Sequence, residues 1–574
     1  MREILRKLLG KLPREFRVLC RQFLLRVVDL EALSVHADVP RFLGQFAGVL
    51  ILIDVLRTIG FLFFEAGKPG MVGDAMITAL LQVAHGLVSM MMLVVGLIAV
   101  VSWDTIFPDR RDAMVLGPLP VRPGTILAAK VAACAAVVGV ALLSLASGMG
   151  IVLPLIAGSW RVFAGYWLGM AASCVFVYGA VLAVQGLTAL VLPRKMFLRI
   201  SAVLQLGAFA WFVAGYFLEP GLSGLDWLEG AAARGALHLW PSYWFLALEL
   251  QIAGHMPAEL HEIASRAWTG LGIVVAGAGL SLALCYLRTM KKTVEEPDLV
   301  PGRNSGRGWP TVRAGGKVET AVVRFTIRGL ARSRHHRVID AFYWAIIFAI
   351  AVSTLRSEGA GGWRLPVTQA YMMPTFAILC LAVVGLRSTF ALPVSLHANW
   401  VLRVTQLNPS QQYIAGTRRA LLLLSAAPAW GLAALLGLGF RPWGHVAEHL
   451  VVLAAVAWIQ AELCMIRVSK IPFACSYLPG KTNLQYLFWG FVLVFLALAM
   501  SLANLEMRVL GDPWQYAALV GVLFAIAVGL WALNRHRARE AVLYYEELEP
   551  VVIQTLGLAG AQLAAIEPAG VRRA

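Results

Sequence analysis

Residues 76–101 read MITALLQVAHGLVSMMMLVVGLIAVV and contain no Asp, Glu, Lys or Arg. A helix rises about 1.5 Å per residue, so a helix of this length exceeds the ~30 Å hydrocarbon thickness of a bilayer. The stretch therefore predicts a membrane-spanning helix. Similar apolar stretches recur along the whole chain.

The overall composition is also typical of a membrane protein. Hydrophobic residues make up 59% and charged residues 14% of the 574 residues, and the mean hydropathy is +0.74. A soluble domain has about 25% charged residues, and a soluble chain of this length would need several polar-coated domains. These values exclude a soluble protein and predict an all-α polytopic membrane protein.

Apolar segments of suitable length predict about twelve transmembrane helices in two sets of six. The first set comprises residues 42–64, 76–101, 131–156, 163–191, 197–218 and 267–287. The second set comprises residues 338–355, 367–386, 419–439, 446–466, 484–504 and 514–533. Only a few residues separate 131–156 from 163–191, so the sequence does not clearly divide these two spans.

The distribution of Lys and Arg predicts that both ends of the chain lie in the cytoplasm, because positively charged loops stay inside. Of the 49 basic residues, Arg57 lies within a predicted span, and eight lie in segments predicted outside. Those eight are Lys68, Arg161, Arg234, Arg266, Arg356, Arg364, Arg441 and Arg508. The net charge of +17 is therefore assigned to cytoplasmic loops that face membrane lipid, and not to nucleic acid binding.

Amphipathic elbow helices and a linker divide the chain into predicted parts. In the first elbow helix Phe16, Leu19 and Phe23 share one stripe, and arginines share another. The tail is predicted to be helical as far as Glu549. The predicted parts are a cytoplasmic amphipathic segment at 1–41, a six-span half at 42–290, a flexible linker at 291–317, a second elbow and half at 318–533, and a cytoplasmic tail at 534–574.

Short motifs recur at corresponding loops of the two halves. Leu-Pro-Val follows the second span of each half, at 119–121 and 392–394. Leu-Pro-x-Lys follows the fourth span, at 192–195 and 478–481, so the two offsets are 273 and 286 residues. Six spans per half give both halves the same orientation, and the sequence predicts two parallel six-helix repeats.

The cytoplasmic loop after the second span combines charged, aromatic and proline residues. It contains Trp103-Asp104-Thr105-Ile106-Phe107-Pro108-Asp109-Arg110-Arg111-Asp112 and continues to Arg122. Aromatic and arginine side chains often anchor protein–protein interfaces. The loop therefore favours docking of another protein over a merely solvated loop.

The elbow helix, this loop and the six-span halves resemble the permease subunits of type V ATP-binding-cassette (ABC) exporters. In that family an elbow helix precedes the first span, and an acidic, Leu-Pro-containing segment such as 112–130 precedes the third. A short outer helix, such as 240–250 here, precedes the sixth span. The resemblance covers most of 15–290 and, more loosely, 318–533.

The resemblance implies two permease halves fused in one chain of a bacterial cytoplasmic membrane. Two copies of a separate ABC ATPase would bind Mg-ATP, dock on the cytoplasmic loops and drive alternating access. The implied coupling residues are Trp103, Asp104, Phe107, Asp109, Arg110, Arg111, Asp112, Leu119, Pro120, Arg122, Trp400 and Arg403. The second half departs from the pattern, because Leu392-Pro393-Val394 is followed by Ala398-Asn399-Trp400 and not by a direct run into a span. The resemblance therefore does not imply that the two halves bind the ATPase in the same way.

No enzyme site is predicted in the chain itself. Gly480-Lys481-Thr482 matches the end of a phosphate-binding loop, but Cys475 stands where that motif requires glycine. The seven cysteines show no spacing typical of a zinc site, and no Ser-His-Asp or HExxH pattern occurs. No cofactor or metal is therefore expected in this chain.

Polar residues within predicted spans are candidates for a pathway, because a charge at mid-membrane costs about 2.5–3.5 kcal/mol. Asp54 and Arg57 lie three residues apart, so they either face a pathway or form a salt bridge with each other. His85 is interpreted as a hydrogen-bonded core histidine in preference to a proton carrier. Glu462 is expected to pair with Arg467.

Two features on the predicted outer side have structural interpretations. The segment 240–250 predicts a short helix that anchors the chain at the membrane interface through its aromatic residues, in preference to a substrate gate. Glu448 and His449 are expected at the outer edge of their span, in contact with water.

An ion-coupled secondary transporter of six-plus-six design is the alternative function, since it shares the parallel repeat. The segment Asp109-Arg110-Arg111-Asp112 lacks the glycines that the largest such family carries after its second span. A membrane-embedded lipid-modifying enzyme would need clustered acidic or histidine residues at one interface, and the sequence shows none.

Overall fold

The structure is a computed structural model. It describes residues 13–28, 39–62, 74–103, 106–107, 116, 119–219, 237–254, 260–295, 315–357, 365–394, 399–400, 410–466, 471–475, 484–541 and 543–545. The chain divides into two compact units. The first comprises Met1–Glu31 and His36–Asn304, and the second comprises Ala32–Val35 and Ser305–Ala574.

The first unit is built from helices, which suit long apolar segments because each backbone group is bonded within its own segment. Its helices are α1 (Arg14–Val28), α2 (Val39–Gly60), α3 (Asp74–Val101), α4 (Pro123–Ala157), α5 (Trp160–Val191), α6 (Arg194–Leu218), α7 (Pro241–Ala253) and α8 (His261–Glu295).

The second unit is also mainly helical. Its helices are α9 (Lys317–Arg332), α10 (Arg334–Ser357), α11 (Gln369–Thr389), α12 (Ser410–Leu421), α13 (Ala427–Gly437), α14 (Trp443–Cys464), α15 (Leu484–Val509) and α16 (Pro513–Glu540). A π-helical segment, Leu422–Ala426, joins α12 to α13, and two short strands, β1 (Leu365–Pro366) and β2 (Phe440–Arg441), pair in parallel.

All twelve predicted spans fall on helices. Within the described residues, eight helices are long and apolar enough to cross a membrane: α3, α4, α5, α8, α11, the continuous run from α12 to α13, α14 and α16. The chain is therefore an all-α polytopic membrane protein, whereas the count of twelve spans stays a prediction. The predicted spans 131–156 and 163–191 lie on two separate helices. Gly158 (φ +59°) and Ser159 separate α4 from α5.

Helix α5 is central to the first unit and packs against α3, α4, α6, α7 and α8. Its glycines permit this, since small residues let helix backbones approach closely. A Cβ at Gly165 would lie 2.5 Å from the carbonyl oxygen of Glu249 on α7, and a Cβ at Gly179 would lie 2.7 Å from Val274 on α8. One face of α5 thus serves as the contact surface for two helices.

The short helix α7 is buried inside the first unit. Tyr243, Phe245 and Leu248 are fully buried, because α7 contacts α3, α5 and α8. Trp240 and Trp244 of the same segment are partly exposed, so the interfacial location of 240–250 stays a prediction, in which Tyr243 and Phe245 serve packing and not anchoring. Burial raises the pKa of the Glu249 carboxyl well above its usual range.

Helix α11 is central to the second unit and packs against α10, α13, α14 and α15. Its buried residues include Tyr371, Phe376 and Leu379, and they belong to one apolar cluster with residues of α13, α14 and α15. A Cβ at Gly437 would lie 2.7 Å from the Tyr371 hydroxyl. Close packing around a small residue is thus used in this unit as well.

Several helix contacts occur in both units when the helices are numbered by predicted span. The elbow helix packs on the third predicted span (α1 on α4, α9 on α12), and the second packs on the fourth and fifth (α3 on α5 and α6, α11 on α14 and α15). The fourth packs on the sixth (α5 on α8, α14 on α16). The first span differs, because α2 packs on α4 whereas α10 packs on α11, and the parallel repeat stays a prediction.

The C-terminal helix ends earlier than the sequence predicts. Helix α16 ends at Glu540 and does not continue to Glu549, which lies outside the described residues. Beyond the helix, the backbone N–H of Ile471 donates to the carbonyl of Tyr544 at 3.1 Å, and Leu543 packs with Val322 and Tyr413. Apolar side chains dock this segment on the second unit, and a continued helix would not bring them there.

Replacement of Gly165 by Val should destabilise the first unit, because the new side chain would collide with the backbone of α7. The expected loss is about 1–3 kcal/mol, typical of overpacking, measured as a lowered thermal unfolding midpoint in detergent. Gly272→Val on α8 is the control, since a Cβ there meets no atom within 4 Å. Equal midpoints for the two variants would contradict the close packing of α5 on α7.

Candidate functional site

An apolar groove in the first unit is the candidate functional site. It has a volume of about 700 Å³ and is lined mainly by α3, α5 and α6. This volume lies within the range of small-molecule sites. Its lining residues are Ser89, Met92, Leu93, Trp103, Phe176, Val177, Ala180, Val181, Val184, Val203, Leu204, Gly207, Ala208, Trp211, Phe212, Gly215, Tyr216, Glu219, Trp240, Pro241 and Ser242.

One end of the groove is polar. The carboxylate of Glu219, directly after α6, lies 2.9 Å from Nε2 of His85 on α3 and accepts a hydrogen bond from Ser242 on α7. The ring of Tyr243 stacks on His85 at a centroid distance of 4.1 Å. This cluster ties α7 to α3 and α6, and it places one carboxylate at the edge of an apolar surface.

The other end of the groove is closed by Trp103, just after α3. Only 2% of this residue is exposed. Its indole donates to Ser201 on α6 at 2.9 Å, and its carbonyl accepts from Gln185 on α5. Trp103 therefore joins three helices inside the unit, and its coupling role stays a prediction.

Lys130 holds the elbow helix and the loop after α3 together. Its ammonium donates to the carbonyl of Phe107 at 3.0 Å and lies 5.2 Å from the ring centroid of Phe23 on α1. Only 1% of Lys130 is exposed. A buried lysine needs such partners, so the loop residue Phe107 is fixed to α4.

Four of the predicted coupling residues are exposed. Leu119, Pro120 and Arg122 precede α4, and Trp400 lies in the second unit with 55% of its surface exposed. The other predicted coupling residues, Asp104, Asp109, Arg110, Arg111, Asp112 and Arg403, lie outside the described residues.

Asp54 bonds to a neighbouring helix. Its carboxylate accepts hydrogen bonds from the backbone N–H of Gly148 at 2.5 Å and from Ser147 at 3.3 Å, both on α4. No ion pair joins it to Arg57 in the part of the chain that the structure describes. Arg57 instead lies over Gly86, where a Cβ would be 3.6 Å from its Nη1. Of the two interpretations that the sequence left open, the mutual salt bridge is therefore wrong, and a role of the two residues in a pathway stays a prediction.

A second His–Glu pair lies in the interior of the second unit. Nδ1 of His449 on α14 is 3.0 Å from both carboxylate oxygens of Glu506 on α15, and Nε2 is 2.7 Å from the hydroxyl of Thr375 on α11. Both side chains of the pair are fully buried. The expectation that His449 contacts water is wrong. Its neighbour Glu448 is partly exposed and pairs with His445 at 2.9 Å.

Glu462 on α14 is also fully buried, and it binds two other helices. Arg418 on α12 donates to it at 3.2 Å, and the side-chain amide of Asn534 on α16 donates at 2.9 Å. The predicted partner, Arg467, lies outside the described residues. A charged partner and a hydrogen-bond donor offset the cost of burying this carboxylate.

Sequence reasoning missed Glu219 and Glu506 as site residues. Glu219 follows the last residue of α6, and Glu506 lies three residues before the end of α15. They are 287 residues apart, close to the 286-residue offset of the Leu-Pro-x-Lys motifs. The signal that could have pointed to them is the predicted repeat, because each acid closely follows the fifth predicted span of its half.

No protein-family model, curated protein or solved structure matches this chain.

Glu506→Ala should strongly destabilise the second unit, because it leaves His449 buried without its partner. Removal of one member of a buried pair costs about 3–5 kcal/mol. Glu448→Ala is a matched control with a half-exposed histidine partner, for which a loss of about 0–1 kcal/mol is expected. Thermal unfolding of the detergent-solubilised chain measures both losses. Similar small losses in the two variants would rule out the buried pair.

Proposed function

We propose that the chain is the membrane subunit of an ABC exporter, with two permease halves that a separate ATPase drives between alternating states. The observation that carries this proposal is the anchoring of an elbow helix to the third membrane helix in each unit. Leu119, Pro120 and Arg122 are exposed directly before that helix in the first unit, so a force applied there by a partner would reach the helix directly.

In the first unit the anchoring is a buried contact. Phe23 of α1 packs against Ile126, Ala129 and Ala133 of α4, and Lys130 adds its bond to the loop after α3. The elbow, the loop and α4 are therefore mechanically joined. Leu119 and Arg122 remain exposed beside them, which suits contact with a partner.

In the second unit the same contact combines close packing and charge. Gly416 of α12 lets α9 approach, because a Cβ there would lie 2.9 Å from Cβ of Val322. Arg419 of α12 forms an ion pair with Glu319 of α9. Elbow and third helix are again joined, and Trp400 is exposed on the chain segment that leads to α12.

The partner in this proposal is an ABC ATPase in two copies, which binds Mg-ATP and supplies the energy. This chain contributes membrane helices and docking loops but no nucleotide site. Its location would be a bacterial cytoplasmic membrane, with both termini in the cytoplasm, as the Lys and Arg distribution favours.

An ion-coupled secondary transporter is a second candidate, favoured by the two His–Glu pairs. His85–Glu219 and His449–Glu506 each join a titratable ring to a carboxylate at the end of a fifth helix. Titratable groups within membrane helices commonly serve as proton relays. In this alternative, protonation of a pair would loosen one helix contact and so favour one state of the transporter.

Trp400→Ala and Leu119→Asp should each weaken binding of the ATPase, because both side chains are exposed where docking is proposed. A buried aromatic anchor contributes about 2 kcal/mol or more, so the Trp400 variant should lose about thirtyfold in affinity. The measurement is the affinity of the purified chain in lipid nanodiscs for a candidate ABC ATPase that co-purifies with it.

Trp514→Ala is the control, since Trp514 is 85% exposed and lies at the start of α16. Its ATPase affinity should be unchanged. Wild-type affinity in the Trp400 and Leu119 variants would reject the docking assignment. Substrate transport in proteoliposomes that needs an imposed pH gradient, and neither ATP nor a partner, would establish the second candidate instead.

A further inference from the structure

The second unit contains a polar pocket with a volume of about 330 Å³. The elbow helix α9, the start of α12, the end of α14 and the last turns of α16 surround it, so it lies on the predicted cytoplasmic side. Most of its lining side chains are polar or charged, whereas those of the groove in the first unit are mainly apolar. Its volume is at the lower end of the range for small-molecule sites. The pocket therefore suits a small polar ligand.

The charges that line the pocket do not balance. Three arginines and two glutamates line it, so its net charge is +1. Arg418 pairs with Glu462, and Arg419 pairs with Glu319. Arg535 forms no ion pair within the described part of the chain. Its positive charge is therefore the one that no carboxylate in the pocket offsets.

Arg535 is accessible to a ligand and is also fixed in position. It is exposed, and its guanidinium carbon lies 5.2 Å from the ring centroid of Trp531, one turn earlier on α16. A cation–π contact of this kind is electrostatic and needs no hydrogen bond. The N–H donors of Arg535 thus stay available at the pocket.

Arg418 adds further donors to the pocket. Its Nη1 donates to Glu462 at 3.2 Å, and this is its one hydrogen bond within the described residues. Glu462 also accepts from the amide of Asn534 at 2.9 Å and from the indole of Trp458 at 3.3 Å, so neutral donors share in stabilising this carboxylate. A guanidinium has five N–H donors in a planar fork. Arg418, with 19% of its side chain exposed, can therefore bind a ligand and keep its bond to Glu462.

The first turn of α12 borders the same pocket. Gln411 and Gln412 belong to this turn and line the pocket. The first four N–H groups of a helix have no partner within the helix, and the helix dipole is positive at this end. The dipole and the two guanidinium groups thus favour a ligand of the same charge, an anion.

From these features we propose that the pocket binds an anion that carries a phosphate group, which Arg535, Arg418 and the first turn of α12 bind together. Donors that converge from two helices suit a tetrahedral phosphate better than a planar carboxylate, and arginine forks match phosphate oxygens. The ligand joins α12 to α16 on the predicted cytoplasmic side. This inference does not rest on the proposed transport function.

A lipid head group and a soluble phosphate ester share this chemistry, so the test has two arms. Both use the full chain in nanodiscs of an uncharged glycolipid and follow the midpoint of thermal unfolding, which a ligand of the folded state raises. One arm adds glycerol 3-phosphate, with glycerol and sodium chloride at equal ionic strength as the blank. The other arm replaces part of the glycolipid by phosphatidylglycerol. We expect a saturable rise of the midpoint in at least one arm.

Two variants locate the binding. Arg535→Gln should weaken it about tenfold or more, the value of a hydrogen bond to a charged group. Gln412→Glu should weaken it as well, because it places a carboxylate at the pocket. Gln412 is exposed, and an acid in the first turn of a helix favours folding.

Arg537→Gln is the matched control. It removes the same charge from an exposed position two residues further along α16, and Arg537 is not a lining residue of the pocket. Its affinity should equal that of the wild type. Arg418 is left unchanged in these variants, because its loss would leave the buried Glu462 without its charged partner.

A rise in the phosphatidylglycerol arm alone would assign the pocket to a lipid head group, and a rise with glycerol 3-phosphate would assign it to a soluble ester. No rise above the blank in either arm would overturn the proposal. Equal affinities of Arg535→Gln and Arg537→Gln would also overturn it, because binding would then occur elsewhere. The assay contains no ATPase, so its failure would leave the docking experiment unaffected.

Discussion

Lipid offers no hydrogen-bond partners, so a polar group on a membrane helix is costly unless it finds a partner inside the protein. Helix formation satisfies the backbone, but polar side chains have to reach other helices. Asp54 bonds to the backbone of α4, His85 to the carboxylate after α6, and His449 to α11 and α15. Each bond joins segments distant in sequence, so a few polar residues fix which helices are neighbours.

Apolar contacts then determine how closely those neighbours pack. In lipid, apolar surface alone gives helices little reason to associate, and small residues that permit close contact become important. Gly165 and Gly179 bring α7 and α8 onto α5, and Gly416 brings α9 onto α12. Where small residues on α6 meet no partner, as at Gly207, space remains and forms the groove. The candidate site is thus a gap in otherwise close packing.

The sequence was sufficient for features that depend on one segment at a time. Hydropathy located the helices, and the stripe containing Phe16, Leu19 and Phe23 located the elbow helix. Partners across helices were not predictable, because hydropathy does not specify which faces meet. For Asp54 the only partner that the sequence offered was Arg57, because only intrahelical spacing can be read from a sequence. His449 was placed in water for the same reason, since its partner Glu506 lies 57 residues further on.

The proposed exporter requires two like halves that cross the membrane in the same orientation. Single cysteines at Arg122, Arg161, Trp400 and Trp514, in a chain whose seven native cysteines are replaced, test it directly. A membrane-impermeant maleimide applied to oriented vesicles should label positions 122 and 400 only from the cytoplasmic side, and positions 161 and 514 only from the outer side. Labelling of 122 and 400 from opposite sides would contradict the account.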